Sequence, residues 1–210
     1  WFFFFMYNLY FWYYFDRIVI RTALSIMLCY IGILVLYKKG KLRYLLYVAI
    51  VLLAFTMHVA SIVFLIVPFL FRSFSKKFLY IWVVANFLLI IFSSAGFVQG
   101  ILGRITLYNQ FEQLGHYTDS DYINTKGLSI FFFFIFLLSA LAVYYREKVA
   151  IDRHEVYNLF LNIFLAGVSF DCMTWTLSTA SRIGGQFICF SFIPIYLLCY
   201  ESSLFKKRTG

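Results

Sequence analysis

The chain has 210 residues, of which 63% are hydrophobic, 23% aromatic and only 13% charged, against roughly 45–50% apolar and about 25% charged in a soluble domain. That balance excludes a soluble globular enzyme and a disordered tail. Apolar runs such as 130–143 do not alternate with polar residues, so the reading is a helical membrane protein and not a barrel. The net charge of +9 is then read as membrane orientation, because Lys and Arg collect in cytoplasmic loops, and not as nucleic-acid binding.

The chain opens on Trp1 inside the apolar run 1–15, with neither a charged leader nor a small-residue cleavage site; it reads as the C-terminal part of a longer protein and not as a signal peptide. About 20 apolar residues cross the hydrocarbon. Segments of this kind are 1–15 (truncated), 18–37, 78–96, 128–145, 156–176 and 183–200. Between them, 42–71 is long for one crossing and short for two.

Charge distinguishes the two possibilities. If 42–71 is a hairpin, one side of the membrane holds 13 of the 18 cations, in the clusters 38–43, 72–77, 146–153 and 206–208. The other side holds five: Arg17, Arg21, Arg104, Lys126 and Arg182. If 42–71 is a single crossing, the split falls to 7 against 11. The orientation bias therefore selects the hairpin, with His58 at its outer turn and a cytoplasmic C-terminus. The expected fold class is all-α: a single polytopic membrane helix bundle over 1–210, with about seven or eight crossings and a large outer loop at about 96–127.

This topology gathers the sparse outer polar residues: Asp16, Arg17, Arg21, His58, Arg104, Glu112, His116, Asp119, Asp121 and Arg182. Guanidinium groups stay charged and bind phosphate in a bidentate fashion. Arg21, Arg104 and Arg182 together therefore suggest an anion site for a diphosphate, although a single such Arg could simply reach the lipid headgroups. His58 is read as a proton acceptor or as a hydrogen-bonded core residue. Asp171 lies within an apolar segment and is read as functional or as the ion-pair partner of an arginine. The tract Gly115–Tyr122 mixes rings, hydroxyls and carboxylates, a combination suited to sugar. Cys29, Cys172, Cys189 and Cys199 sit in apolar runs without CxxC spacing and are read as packing residues. The three histidines are far apart in sequence, and no glycine-rich phosphate-binding motif is present; neither a metal nor a cofactor is expected.

Three stretches, and a weaker fourth, carry a likeness to a known family. Ile20-Arg21-Thr-Ala-Leu24-Ser25 resembles the Arg-x-x-Leu-Ala helix start of the EpsG family of Wzy-like polysaccharide polymerases, with Ser25 where Ala is usual. Leu53-Ala-Phe-Thr-Met-His58-Val-Ala-Ser61, followed by Pro68, is similar to its Ala-x-x-x-His-x-Ser/Ala signature. Arg182-Ile-Gly-Gly-Gln186-Phe187, with Pro194 beyond, resembles its terminal Arg-Leu-x-x-Tyr-Phe…Pro, with Gln186 replacing Tyr. Arg104-Ile-Thr-Leu-Tyr108 is similar to a weaker Arg/Lys-x-x-x-Tyr element.

The resemblance implies a GT-C-like polymerase that joins undecaprenyl-diphosphate-linked oligosaccharides at the outer face of the bacterial cytoplasmic membrane. Arg21, His58, Arg104 and Arg182 would be its catalytic groups, with His58 either taking the acceptor proton or donating to the diphosphate. Arg17, Tyr108, Tyr117, Asp119, Asp121 and Tyr122 would hold substrate. A chain-length regulator and a flippase of the same pathway are the expected protein partners. A transporter of the same lipid-linked sugars and a polysaccharide ligase are the rival activities, and a structural membrane subunit is the non-enzymatic alternative.

Overall fold

The computed structural model describes residues 20–38, 40, 42–94, 130–174 and 181–200. Among these, every regular element is a helix. They divide into two compact units, Trp1–Phe71 and Arg72–Gly210.

In the first unit, α1 (Ile20–Leu36) and α2 (Leu42–Met57) form an antiparallel pair. Ser25, Cys29, Ile33 and Leu36 recur at helical spacing and are buried, as are Tyr47, Val51 and Ala54 of α2; these stripes face each other. Gly32 permits the close approach: a Cβ there would lie 3.2 Å from the Tyr47 ring. In the connection, Gly40 has φ +112°, a conformation that side chains disfavour. Arg43 Nη1 donates to the carbonyls of Leu36 (3.1 Å) and Lys38 (3.3 Å). It thereby places positive charge where α1 leaves carbonyls unpaired.

After Met57 the chain breaks at His58 and continues as a 3₁₀ helix, Val59–Ile66, and then as α3 (Val67–Leu70). The Tyr47 hydroxyl donates to the Phe64 carbonyl. A straight run of 17 α-helical residues would separate these two by about 25 Å, so the bond proves that 42–71 doubles back. The return leg has only 12 residues, yet 3₁₀ winding rises about 2.0 Å per residue. It therefore reaches ~22 Å, close to the ~24 Å of α2.

In the second unit, α4 (Lys76–Ser94), α5 (Ile130–Tyr145) and α6 (His154–Met173) precede α7 (Ser181–Ile188) and α8 (Phe192–Tyr200). Helix α6 is the core element, buried continuously from Leu159 to Val168, and α4, α5 and α7 pack on it. Glycines set the α6–α7 crossing. A Cβ on Gly167 would lie 2.6 Å from Phe187 Cβ, and one on Gly184 would lie 2.7 Å from the Asp171 nitrogen.

The expected segment 183–200 is not one continuous α-helix; a 3₁₀ turn, Cys189–Ser191, interrupts it. Pro194 explains the break, because its ring displaces the carbonyl four residues earlier and it has no N–H to donate. Among the described residues, two helices, α4 and α6, are long and apolar enough to cross a membrane. Helices α1, α2 and α5 have 16 or 17 residues, which is about 24–26 Å against a hydrocarbon core of ~30 Å. Their outer faces are apolar nonetheless, with Met27, Leu45, Leu52, Phe133 and Leu137 exposed.

Candidate functional site

The register of the first unit sets two of the expected site residues at the same height. Gly32 lies against Tyr47, and the two helices run in opposite directions. Arg21 is 11 residues before Gly32, and His58 is 11 residues after Tyr47. At 1.5 Å per residue both stand about 16 Å above that contact. They are therefore level, at the end of the hairpin opposite the basic loop 38–43. Arg21 is exposed in the first turn of α1, and His58 is half-buried.

His58 is the pivot of the turn. Its φ of −150° and ψ of 119° are extended. Its own N–H still bonds the Ala54 carbonyl at 2.9 Å, and its carbonyl accepts from Ser61 N–H at 3.0 Å. Its ring Nδ1 accepts from Ala60 N–H at 3.2 Å. The side chain thus caps the return leg in the way that a short polar residue caps a helix. The Phe64 carbonyl is a second consequence of the sequence. Pro68 cannot supply the N–H four residues on; Phe64 accepts instead from Val67 N–H and from Tyr47.

In the second unit, Arg182 lies in the first turn of α7, two residues before Gly184, and its side chain is outside the described ones. Gly184 rests on the backbone of Asp171, which is 4% exposed. The start of α7 and the buried carboxylate of α6 therefore share one crossing. Gln186, at the position of the family's Tyr, is buried. Arg17, Arg104, Tyr108, Tyr117, Asp119, Asp121 and Tyr122 lie outside the described residues, as do the run 1–15 and the loop 96–127.

A polar stripe on α6 escaped the sequence reading. Asn158, Asn162 and Ser169 lie on one helical face. Asn162 Nδ2 donates to the Arg72 carbonyl (2.9 Å). Ser169 Oγ accepts from Trp82 Nε1 (2.8 Å) and donates to Asn86 Oδ1 (2.7 Å). Asn158 Oδ1 accepts from Arg146 Nε at 2.5 Å. The same guanidinium donates to the Phe74 carbonyl (2.7 Å) and to Ser73 Oγ (2.8 Å). Burial lowers the pKa of Arg146 from its ordinary value, with neighbouring Glu147 opposing the shift. These three acceptors are neutral oxygens, so Arg146 acts as a staple between chain segments. The signal in the sequence was the 158–162–169 spacing within an otherwise apolar helix.

The sequence profile of the EpsG family matches residues 1–209. The chain belongs to the EpsG family. This makes it a membrane protein related to polysaccharide biosynthesis, in keeping with the membrane-capable helices α4 and α6. No curated protein and no solved structure gives a significant match.

Proposed function

We propose that this EpsG-family chain is a multi-pass polymerase of lipid-linked oligosaccharides, acting at the outer face of the bacterial cytoplasmic membrane with its C-terminus inside. A hydroxyl of one undecaprenyl-diphosphate-linked unit attacks the anomeric carbon of another. The new carbon–oxygen bond forms as the bond from that carbon to the phosphate oxygen breaks, and the electron pair leaves on the diphosphate. The hydroxyl proton passes to water or to the departing diphosphate.

The observation that carries this reading is the level placement of Arg21 and His58 at the hairpin end opposite the basic loop, in a chain matched to the family along its length. Arg21, Arg104 and Arg182 would stabilise the charge that builds on the diphosphate. Guanidinium groups in that role remove the need for a metal. Arg17, Tyr108, Tyr117, Asp119, Asp121 and Tyr122 would bind substrate, and a chain-length regulator and a flippase would work beside the enzyme.

The test is incubation of the purified full-length protein with undecaprenyl-diphosphate-linked repeat units, scored as a ladder of chain lengths. Arg21→Lys and Arg182→Lys should shorten the ladder while leaving membrane insertion intact. Normal ladders from both variants would reject the diphosphate role, and vesicle translocation without any ladder would make the protein a transporter.

A further inference from the structure

We propose that His58 meets the lipid-linked diphosphate as a neutral hydrogen-bond donor through Nε2–H, and does not take the proton of the acceptor hydroxyl. The inference rests on the polymerase reading above and decides between the two roles which the sequence left open for this residue.

The carrying observation is the contact between Ala60 N–H and His58 Nδ1. A backbone N–H can only donate, so Nδ1 must present its lone pair. A neutral imidazole with a lone pair on Nδ1 carries its single proton on Nε2. The same contact holds the first turn of the return leg together, alongside the bond from Ser61 N–H to the His58 carbonyl. Protonating Nδ1 would set two donors against each other at the pivot of the hairpin, so the fold itself selects the tautomer. Its basic nitrogen is committed to the backbone, and the other already carries hydrogen.

A neutral Nε2–H lends its hydrogen without giving it up, because its loss would leave an imidazolate. With Arg21 at the same height on α1, such a donor suits an oxygen that becomes more negative as the glycosidic bond to phosphate breaks. The balance of the step is unchanged: the acceptor proton leaves to water or to the diphosphate, and His58 ends the cycle as it began. A single polymer-forming turnover requires no recovery of a proton by this residue.

Two substitutions separate the roles. In His58→Asn, Oδ1 stands near the position of Nδ1 and can keep the cap, for which Asn is a preferred residue, but the distal donor is gone. In His58→Gln, the side-chain NH₂ stands near the position of Nε2 and can donate, but it cannot act as a base. The expected result in the ladder assay is a fall of about 10²-fold for Asn, the size found on removing one such donor, and a rate within about tenfold of wild type for Gln. Loss of activity in both, with both folded by thermal unfolding, would make His58 a base and overturn the inference. Full activity in Asn would make it a cap alone and overturn it equally. Nitrogen-15 NMR of the histidine-labelled full-length protein reads the tautomer without any turnover, assigned against His58→Asn. A non-protonated Nδ1 is expected, and a protonated Nδ1 would end the proposal. If wild-type protein builds no ladder, the polymerase reading fails by itself, and the NMR result still decides the tautomer.

Discussion

Tyr47 and Phe64, 17 residues apart in sequence, are joined by a hydrogen bond from the tyrosine hydroxyl to the phenylalanine carbonyl, and both are buried. Pro68 has removed the donor that this carbonyl would receive in a regular α-helix. The phenol restores that bond across the hairpin and fixes how far the return leg lies from α2. Tyr47→Phe should therefore loosen the hairpin. The Phe64 carbonyl keeps its bond from Val67 N–H, so the loss is that of one hydrogen bond, about 0.5–1.5 kcal/mol. Thermal unfolding in detergent, followed by labelling of buried cysteines such as Cys29, should begin at lower temperature. An unchanged unfolding temperature would show that the bond contributes nothing.

The turn at His58 is legible in the sequence, by an indirect route. Charge asymmetry between loops required 42–71 to return to the side from which it started, although neither Gly nor Pro stands at the turn, 57–60. The 3₁₀ winding of the return leg was not legible, because it arises from a short segment that has to match a longer neighbour. Likewise a proline within an apolar segment, Pro194, signals a break in its helix but not the form it takes, a 3₁₀ turn at Cys189–Ser191. Arg21 and His58 emerged as neighbours in height because antiparallel register can be counted once Gly32 and Tyr47 are known to touch. The stripe Asn158–Asn162–Ser169 was missed since isolated amides and hydroxyls in an apolar run attract less notice than charges, although they organise one face of α6.

Gly184 offers the sharpest test of the α6–α7 crossing. A methyl group there meets the Asp171 backbone at 2.7–2.9 Å, where no flexible side chain can yield. Gly184→Ala should push α7, and with it the backbone of Arg182, away from α6. Overpacking of this kind costs about 1–3 kcal/mol. A lower unfolding temperature should appear together with a shorter polymer ladder. Wild-type values for both would show that the crossing tolerates separation.

Arg146 makes a different prediction because its role is structural. Its guanidinium reaches the Phe74 carbonyl, Ser73 Oγ and Asn158 Oδ1 at once. A lysine ammonium cannot reproduce that planar fork. Arg146→Lys should lower stability by about 2 kcal/mol, the scale of one charged hydrogen bond lost from a half-buried site. Asn158→Ala should add little on top of it, since the two groups share one interaction. Additive losses in the double variant would separate them.

The proposed orientation of the hairpin can be read directly with thiols. Lys38 is exposed just beyond α1, and Val59 is exposed immediately after the turn. In the full-length protein with Cys29, Cys172, Cys189 and Cys199 replaced by Ala or Ser, Val59→Cys should react with a membrane-impermeant maleimide applied to intact spheroplasts. Lys38→Cys should react only after the membrane is opened. The physical basis is the excess of cations beside Lys38, which by the orientation bias would put that loop on the cytoplasmic side, while the hairpin places residue 59 at the far end of α2. Labelling of both positions from outside would mean that the hairpin lies along the surface. The reverse pattern would invert the orientation and move Arg21 and His58 to the face where no lipid-linked acceptor is expected.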